Sequence, residues 1–381
     1  MKLMMISTDR ALFDPDSPVR ARILEQAALV DELSVIVFAP KSAGYKDIRI
    51  AQHVIIHPTN SLHKFFYMYD AFYAGRRILK DALGKWLITT QDPFETGAVG
   101  FLLSRFYHAP LHVQLHTDPF SAAWKTLDHV NTFRAFLAAA ILHRAEGVRV
   151  VSERAKRGVL HVGVSESKIT KVPIFVDVEK FIGTDASFDL HHSYPDYGHI
   201  VVSMGRLTRE KNFAGLLQAF KKICEHYHDA LLLIVGSGPE RERLITLAQS
   251  LGIDEHVHFL PWARDVASYY KTADVYVQSS LYEGWGLAVI EALASGAPVV
   301  MTDVGCAGEI VINGENGVVV PVGDDNALAD GINSVLGSEA LRKKFAEHGK
   351  EAVSHLATKL DTLKLYKESW EKAFEVRKNK K

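Results

Sequence analysis

Two stretches of the chain alternate short apolar segments with amphipathic ones, and this alternation limits the fold more than any other feature. In the first stretch KLMMIS, LSVIVFAP, WLITTQ, PLHVQLH and GVRVVS read as buried strands. Helical segments separate them; in SPVRARILEQAALVDE, Val19, Ile23, Ala27 and Val30 fall near one face. Strands that are apolar on both faces and separated by helices call for a parallel sheet covered on both sides. A second series follows HSYPDYG. Its strands are HIVVSMG, ALLLIVGSG, VHFLPW, DVYVQSS and PVVMTD, and each gap between them is filled by a helical pattern. The 381 residues are enough for two such α/β units. Residues 177–197 are polar and turn-forming. The expected domains are therefore two Rossmann-like units, 1–177 and 178–360, followed by a basic-ended helix at 361–381.

Composition narrows the function classes. The net charge of −1 argues against a surface made to hold nucleic acid, although a local basic patch is compatible with it. Cys224 and Cys306 lie far apart and lack metal-ligand spacing, which fits a reducing compartment. The opening MKLMMISTDR is too short in apolar residues for a signal peptide and reads as a first strand. No apolar run approaches the roughly 18–20 residues of a membrane span. The expectation is a cytoplasmic protein, or one peripheral on the cytoplasmic face of a membrane.

In a parallel α/β sheet, ligands meet the loops after the strand C-termini. Three such loops stand out. In MGRLTREKNF, Gly205 permits a tight turn, and Arg206 and Lys211 offer a guanidinium fork and a compact charge for phosphate. A solvated basic turn neutralised by Glu210 explains the same residues. In VGSGPERERL, Gly236 and Gly238 match part of a dinucleotide fingerprint, but Arg241 stands where its third glycine belongs. This reads as a tight strand-to-helix turn and not as a nicotinamide-cofactor site. In LYEGWGLAVIE, the helix starts near Leu287, and its free amides and dipole suit phosphate. Gly284 and Gly286 allow close backbone approach. Glu291 suits ribose hydroxyls and Glu283 a sugar ring, while a capping and a solvent-facing glutamate are the plainer explanations.

Taken in order, GRLTREKN, LLIVGSGPERERL, VHFLPW and ADVYVQSSLYEGWGLAVIEALASGAPVVMTDVGCAGEIVINGENGVVVPVGD resemble the retaining nucleotide-sugar glycosyltransferases of family 4, including their E-x7-E region. The first half is similar more loosely, in QDPFETG, PLHVQLHTD and VRVVSERAKRGVLHVGVSESKITKVPIFVDVEKF. The resemblance implies the GT-B fold: two Rossmann-like domains facing across a cleft, with the C-terminal helix crossing back to the first and anchored by Trp370 and Phe374. It implies that Arg206 and Lys211 bind the donor diphosphate, Glu291 the ribose and Glu283 the donor sugar. The backbone around Trp285, Gly286 and Leu287 is implied to contact sugar and phosphate, and His116 to lie near the donor sugar. Retention of configuration is implied, with no cofactor and no obligatory metal; the one D-x-D, Asp14 to Asp16, reads as an N-terminal loop.

Departures from the family pattern are informative. The loop after the first strand, STDRALFDPDSPVRAR, has no glycine, so Arg20 or Arg22 is a candidate for side-chain contact with donor or acceptor. Asp118 is a further acceptor-side candidate. Cys306 replaces the second glycine of an adjacent pair and reads as a small buried filler. Trp285 replaces a phenylalanine and either shapes the sugar pocket or packs beneath it. The expected partners are a nucleotide-sugar donor, UDP-sugar or GDP-mannose, and a glycan or lipid-linked acceptor. Residues 63–86, HKFFYMYDAFYAGRRILKDALGKW, suit an anionic membrane surface, with Phe65, Met68, Phe72 and Leu79 as an apolar stripe flanked by Lys64, Arg76, Arg77 and Lys80. An ordinary helix packed on its sheet is the alternative. A nucleotide-sugar epimerase and a non-catalytic scaffold subunit of the same fold remain alternative functions.

Overall fold

The computed structural model describes residues 1–80 and 86–378, divided into two compact units. The first holds residues 1–173 and the chain from Lys359 onward; the second holds Ile174–Thr358. The chain thus changes unit after Pro173 and after Thr358, slightly before the expected boundaries at 177 and 360. Val172, just after the last strand of the first unit, is still fully buried in its core, whereas residues 173–176 are only half-buried.

The first unit is an eight-stranded sheet of β1 (Lys2–Ser7), β2 (Glu32–Val37), β3 (Ile48–Ala51), β4 (Val54–Pro58), β5 (Trp86–Thr90), β6 (Leu111–Leu115), β7 (Gly147–Val150) and β8 (Ile169–Lys171). Its order is β3-β4-β2-β1-β5-β6-β7-β8. All pairings are parallel except β3 with β4. That antiparallel edge departs from the purely parallel sheet expected. The helices are α1 (Pro18–Ala27), α2 (Tyr67–Leu79), α3 (Glu95–Tyr107), α4 (Ala122–Leu127), α5 (His129–Arg144) and α6 (Glu153–His161). Helix α1 starts where Ser17 Oγ accepts the Val19 amide at 3.1 Å and Pro18 occupies the first turn. Helices α2, α3, α5 and α6 pack on one face of the sheet through Ala71, Leu103, Ile141 and Val159.

The second unit is a six-stranded, wholly parallel sheet of β9 (His199–Met204), β10 (Ala230–Val235), β11 (Val257–Leu260), β12 (Val275–Gln278), β13 (Val299–Thr302) and β14 (Val318–Val320). Its order is β11-β10-β9-β12-β13-β14. The helices are α7 (Val178–Gly183), α8 (Leu190–Ser193), α9 (Phe213–His226), α10 (Arg241–Leu251), α11 (Val266–Thr272), α12 (Leu287–Ser295), α13 (Asp325–Leu336) and α14 (Glu339–Ser354). One core joins the sheet to α9, α10 and α13 through Phe220, Leu244 and Ile332.

The final helix, α15 (Lys359–Lys378), belongs to the first unit. Trp370 is fully buried there beside Leu3, Leu33 and Leu87, and Phe374 packs on the same core. Polar side chains tie the helix to the sheet. His112 bonds Thr89 Oγ1 and Ser369 Oγ, each at 2.9 Å. Arg149, fully buried in β7, donates twice to the Val172 carbonyl and once to Gln114 Oε1, and lies 4.4 Å from the Tyr366 ring centre. A buried guanidinium is stable only with its donors satisfied in this way. The basic tail after Lys378 lies outside the described residues.

Candidate functional site

In the second unit β9, β10 and β11 step one way across the sheet, and β12, β13 and β14 step the other. The strand order reverses between β9 and β12, so the loops leaving their C-terminal ends diverge and leave a crevice. The first loop, 205–212, carries Gly205, Arg206 and Lys211; the second, 279–286, carries Glu283, Gly284, Trp285 and Gly286. The loops are stitched together. The Leu281 amide donates to the Glu210 carbonyl at 2.8 Å, and Ser279 Oγ donates to the Lys211 carbonyl at 2.9 Å.

The charges meet in pairs. Lys211 Nζ forms an ion pair with Glu283, and Ser280 Oγ donates to the same carboxylate oxygen at 2.8 Å. Arg206 is exposed and lies 3.7 Å from Glu210, whose carboxylate also accepts Thr208 Oγ1 at 2.7 Å. Half-buried Glu291 sits one turn into α12 and accepts Tyr270 Oη at 3.2 Å. Burial raises its carboxyl above the usual range, while Tyr270 and the Lys180 charge pull the other way. Helix α12 opens at Gly286, at φ +96°, and no side chain caps it. Within the first turn the Val289 amide donates to the Gly286 carbonyl at 3.0 Å, and the Leu287 and Ala288 amides, uncapped by any side chain, are the ones placed to receive an anion.

Two glycines brace this arrangement from β10. A side-chain carbon on Gly236 would fall onto the Gly205 carbonyl, and one on Gly238 would lie 2.6 Å from the Leu207 nitrogen. Their absence lets the β10 loop lie directly on the β9 loop, where Leu207 donates to Ser237 and Glu240 donates to Leu207. The Gly-x-Gly pair is thus a backbone contact between two loops. Trp285 packs beneath its loop: it is 2% exposed, and its carbonyl accepts the Cys306 amide at 2.9 Å. Cys306 is a buried filler next to Gly286. Leu287 is exposed.

The remaining candidates lie in the first unit. His116 follows β6 directly. Its pKa is pushed down to about 3, first by surrounding protein and then by Arg149 and Arg22. The residue's own surface is exposed, which tempers the burial contribution, and the direction leaves a neutral imidazole at pH 7. Asp118 shapes the next turn, accepting the Phe120 amide at 3.0 Å, and burial raises its pKa. Arg20 is half-buried with its Nη1 atom buried and no acceptor for it among the described residues. Asp14 Oδ1 accepts the Asp16 amide at 3.1 Å, so the Asp-Pro-Asp stretch is a self-bonded turn. Among the described residues no group of three His, Cys, Asp or Glu side chains is placed to hold a metal.

The aromatic stretch 63–86 is split by the structure, and its residues 81–85 lie outside the described ones. Leu79 faces the sheet with Ala71 and Ala74 and does not share a surface stripe with Phe65 and Met68. Helix α2 begins only at Tyr67, so Phe65 lies in a preceding 3-10 turn, 82% exposed. Tyr69, Tyr73 and Phe106 are exposed, and Arg76 lies over the Tyr73 and Phe106 rings. Helix α5 adds Val130, Phe133 and Phe136 to the exposed residues, which the sequence did not single out. No helix of the described residues is long and apolar enough to cross a membrane.

Comparison with known proteins places this geometry in context. Residues 192–352 match the family model for glycosyl transferases group 1, and residues 25–180 match that for glycosyltransferase family 4. A phosphatidyl-myo-inositol mannosyltransferase of Mycobacterium leprae is 36% identical over 164 residues, 42% of this chain and 43% of that protein. An N-acetyl-alpha-D-glucosaminyl L-malate synthase of Bacillus anthracis is 31% identical over 204 residues, 50% of this chain and 53% of that one. The chain spans about half the length of the curated relatives it matches. Among solved structures, sucrose-phosphate synthase of Thermosynechococcus elongatus has a TM-score of 0.80 at 22% identity, covering 98% of this chain and 100% of that one. Anabaena HepE in complex with UDP has a TM-score of 0.73 at 19% identity, covering 97% and 98%. These likenesses show a shared GT-B fold.

Proposed function

Because the chain belongs to glycosyltransferase family 4, we propose that it moves a sugar from a nucleotide-sugar donor to an acceptor hydroxyl, with retention of configuration and no metal, in glycolipid or polysaccharide synthesis. One observation carries the reading: Arg206, Lys211, Glu283 and the uncapped start of α12 converge where the strand order of the second unit reverses. Similarity to a phosphatidyl-myo-inositol mannosyltransferase and to a lipopolysaccharide core glycosyltransferase of Rhizobium meliloti supports the class of acceptor.

In this scheme the diphosphate rests on the amides of α12, Arg206 and Lys211. Glu291 accepts hydrogen bonds from the ribose and Glu283 from the donor sugar. As the glycosidic bond breaks, negative charge grows on the departing diphosphate, and fixed cations and amides stabilise it there more than in the ground state. The sugar becomes oxocarbenium-like. The acceptor hydroxyl attacks from the leaving-group face and its proton passes to the departing phosphate, so no protein nucleophile is required. Within the first unit, His116, Arg20 and Asp118 are the residues proposed for the sugar and the acceptor, on the family resemblance alone. A lipid-linked acceptor accords with the exposed rings of Phe65, Tyr69, Phe133 and Phe136, which suit an anionic bilayer together with Lys64, Arg76 and Arg77.

A thermal-shift screen against UDP, GDP and ADP and their sugars tests the donor. A ligand bound only by the folded state raises Tm by an amount that grows with the logarithm of its concentration over its Kd. A shift with one nucleotide and its sugars is expected, and no shift with any of them overturns the reading. Flotation with phosphatidylglycerol-containing vesicles tests the surface: binding is expected to fall when Phe133 and Phe136 are both changed to Ser, and no flotation of the wild type refutes it.

A further inference from the structure

The cations assigned to the donor diphosphate each already face a carboxylate. The Arg206–Glu210 contact is long, and the Arg206 side chain is 76% exposed, so water screens it. The Lys211–Glu283 pair is different. Its side chains are 23% and 13% exposed, and Ser280 Oγ holds the carboxylate in position. Ser280 is itself fixed, its carbonyl accepting Thr302 Oγ1 at 2.6 Å from β13. Tyr282, beside these groups, has its hydroxyl pKa raised by burial and by Glu210 and Glu283, with Arg206 opposing. The crevice is therefore close to neutral in charge, not the cationic pocket that Arg206 and Lys211 alone suggest.

A diphosphate drawn to Lys211 meets a second anion at the same ammonium group. Like charges sharing one counter-ion in a partly buried site repel strongly, because little water intervenes. Resting on the reading that Lys211 receives the donor diphosphate, we propose that Glu283 is the counter-anion of Lys211 and competes with the nucleoside diphosphate for it, so setting how readily that product leaves. With the intact donor, the carboxylate has sugar hydroxyls to accept from. Once the sugar has been transferred, those donors are gone and Lys211 is the partner within reach. The carboxylate then presses against the spent diphosphate. Glu283 thus discriminates between nucleotide-sugar and nucleoside diphosphate through one charge, whose repulsion is offset in the donor complex by the hydrogen bonds of the sugar and is left unopposed in the product complex.

Isothermal titration of the full chain with UDP and with GDP tests this. The wild type binds one of them, and Glu283→Gln is expected to bind it about tenfold more tightly, since the amide still accepts from Ser280 but carries no charge. Lys211→Ala is expected to weaken binding, and adding Glu283→Gln to it to recover part of the loss, since the carboxylate left without its counter-ion repels the diphosphate more strongly. Equal or weaker binding by Glu283→Gln, or no gain from it in the Lys211→Ala background, overturns the proposal while leaving the donor reading intact. Should Glu283→Gln fail to fold, Glu283→Asp, which keeps the charge but shortens its reach, is expected to give part of the gain, and no gain overturns the proposal. If the wild type binds neither nucleotide nor ADP, the donor reading fails and the competition with it.

Discussion

Lys211 is where most of the candidate site's constraints meet. Its carbonyl takes the Ser279 hydroxyl, its ammonium meets Glu283, and it ends the turn that Asn212 closes at φ +51° before capping α9. Charge-assisted hydrogen bonds contribute roughly 1.5–3 kcal/mol each. Lys211→Ala is therefore expected to lower kcat/KM for the donor by roughly 10- to 150-fold, with the larger share in kcat if the contact tightens as the diphosphate departs. Steady-state kinetics with the donor found by thermal shift checks this, and near-normal turnover refutes the phosphate role. Tyr270→Phe removes the hydroxyl that donates to Glu291. A neutral-to-charged hydrogen bond of this kind predicts a rise in donor KM of about tenfold with little change in kcat. Lys211, Glu283 and Glu291 were legible in the sequence because each follows a recognisable strand or helix start. Tyr270 was not: it lies on α11, and nothing in spacing along the chain relates it to Glu291.

At the scale of elements, the crevice depends on two loops lying one on the other. Gly236 adopts φ +153° and leaves no room for a side chain beside Gly205, while Gly252, at φ +69°, faces open space. Gly252→Ala should thus lose only the left-handed backbone preference, about 1 kcal/mol. Gly236→Ala adds a steric displacement of the Gly205–Leu207 loop, and a loss of about 3 kcal/mol or more in chemical denaturation is expected, with weaker nucleotide binding. Equal losses at the two positions contradict the bracing role. The motif GSG was visible as a turn, but its purpose depends on a strand neighbour that only the sheet order supplies. The β3–β4 hairpin escaped the sequence reading for a related reason: Gln52 and His53 join its strands without the Gly or Asn that normally marks a two-residue turn. In α2 the periodic apolar positions do not form one stripe, because Leu79 is turned into the core. The helix starts at Tyr67, so its buried face is Ala71, Ala74, Gly75 and Leu79, and Gly75 lies close against Leu103 of α3.

For the whole molecule, the first unit is completed by a helix drawn from the far end of the sequence, and polar groups inside the core hold it. His112 is fully buried between Thr89 and Ser369, with its pKa pushed down from 6.5 to about 3 by burial and then by the Arg149 charge. The sign of the pH effect follows. The unfolded chain takes up a proton near pH 6.5 that the folded chain refuses until about pH 3, so the unfolded state binds more protons across that window. The contribution of a neutral His112 is complete above pH 6.5 and declines as pH falls towards 3. The shift corresponds to at most about 5 kcal/mol, at 1.36 kcal/mol per pKa unit. His116 moves in the same direction, but its exposed surface makes its share smaller. Denaturant melts of the wild type between pH 7 and pH 4 are therefore expected to lose stability more steeply than those of His112→Gln. The variant starts lower at pH 7, having lost the fit between Thr89 and Ser369, and the two curves converge in acid. Parallel curves would mean that His112 ionises freely in the folded protein, which its burial between two hydroxyls and beside a guanidinium does not allow.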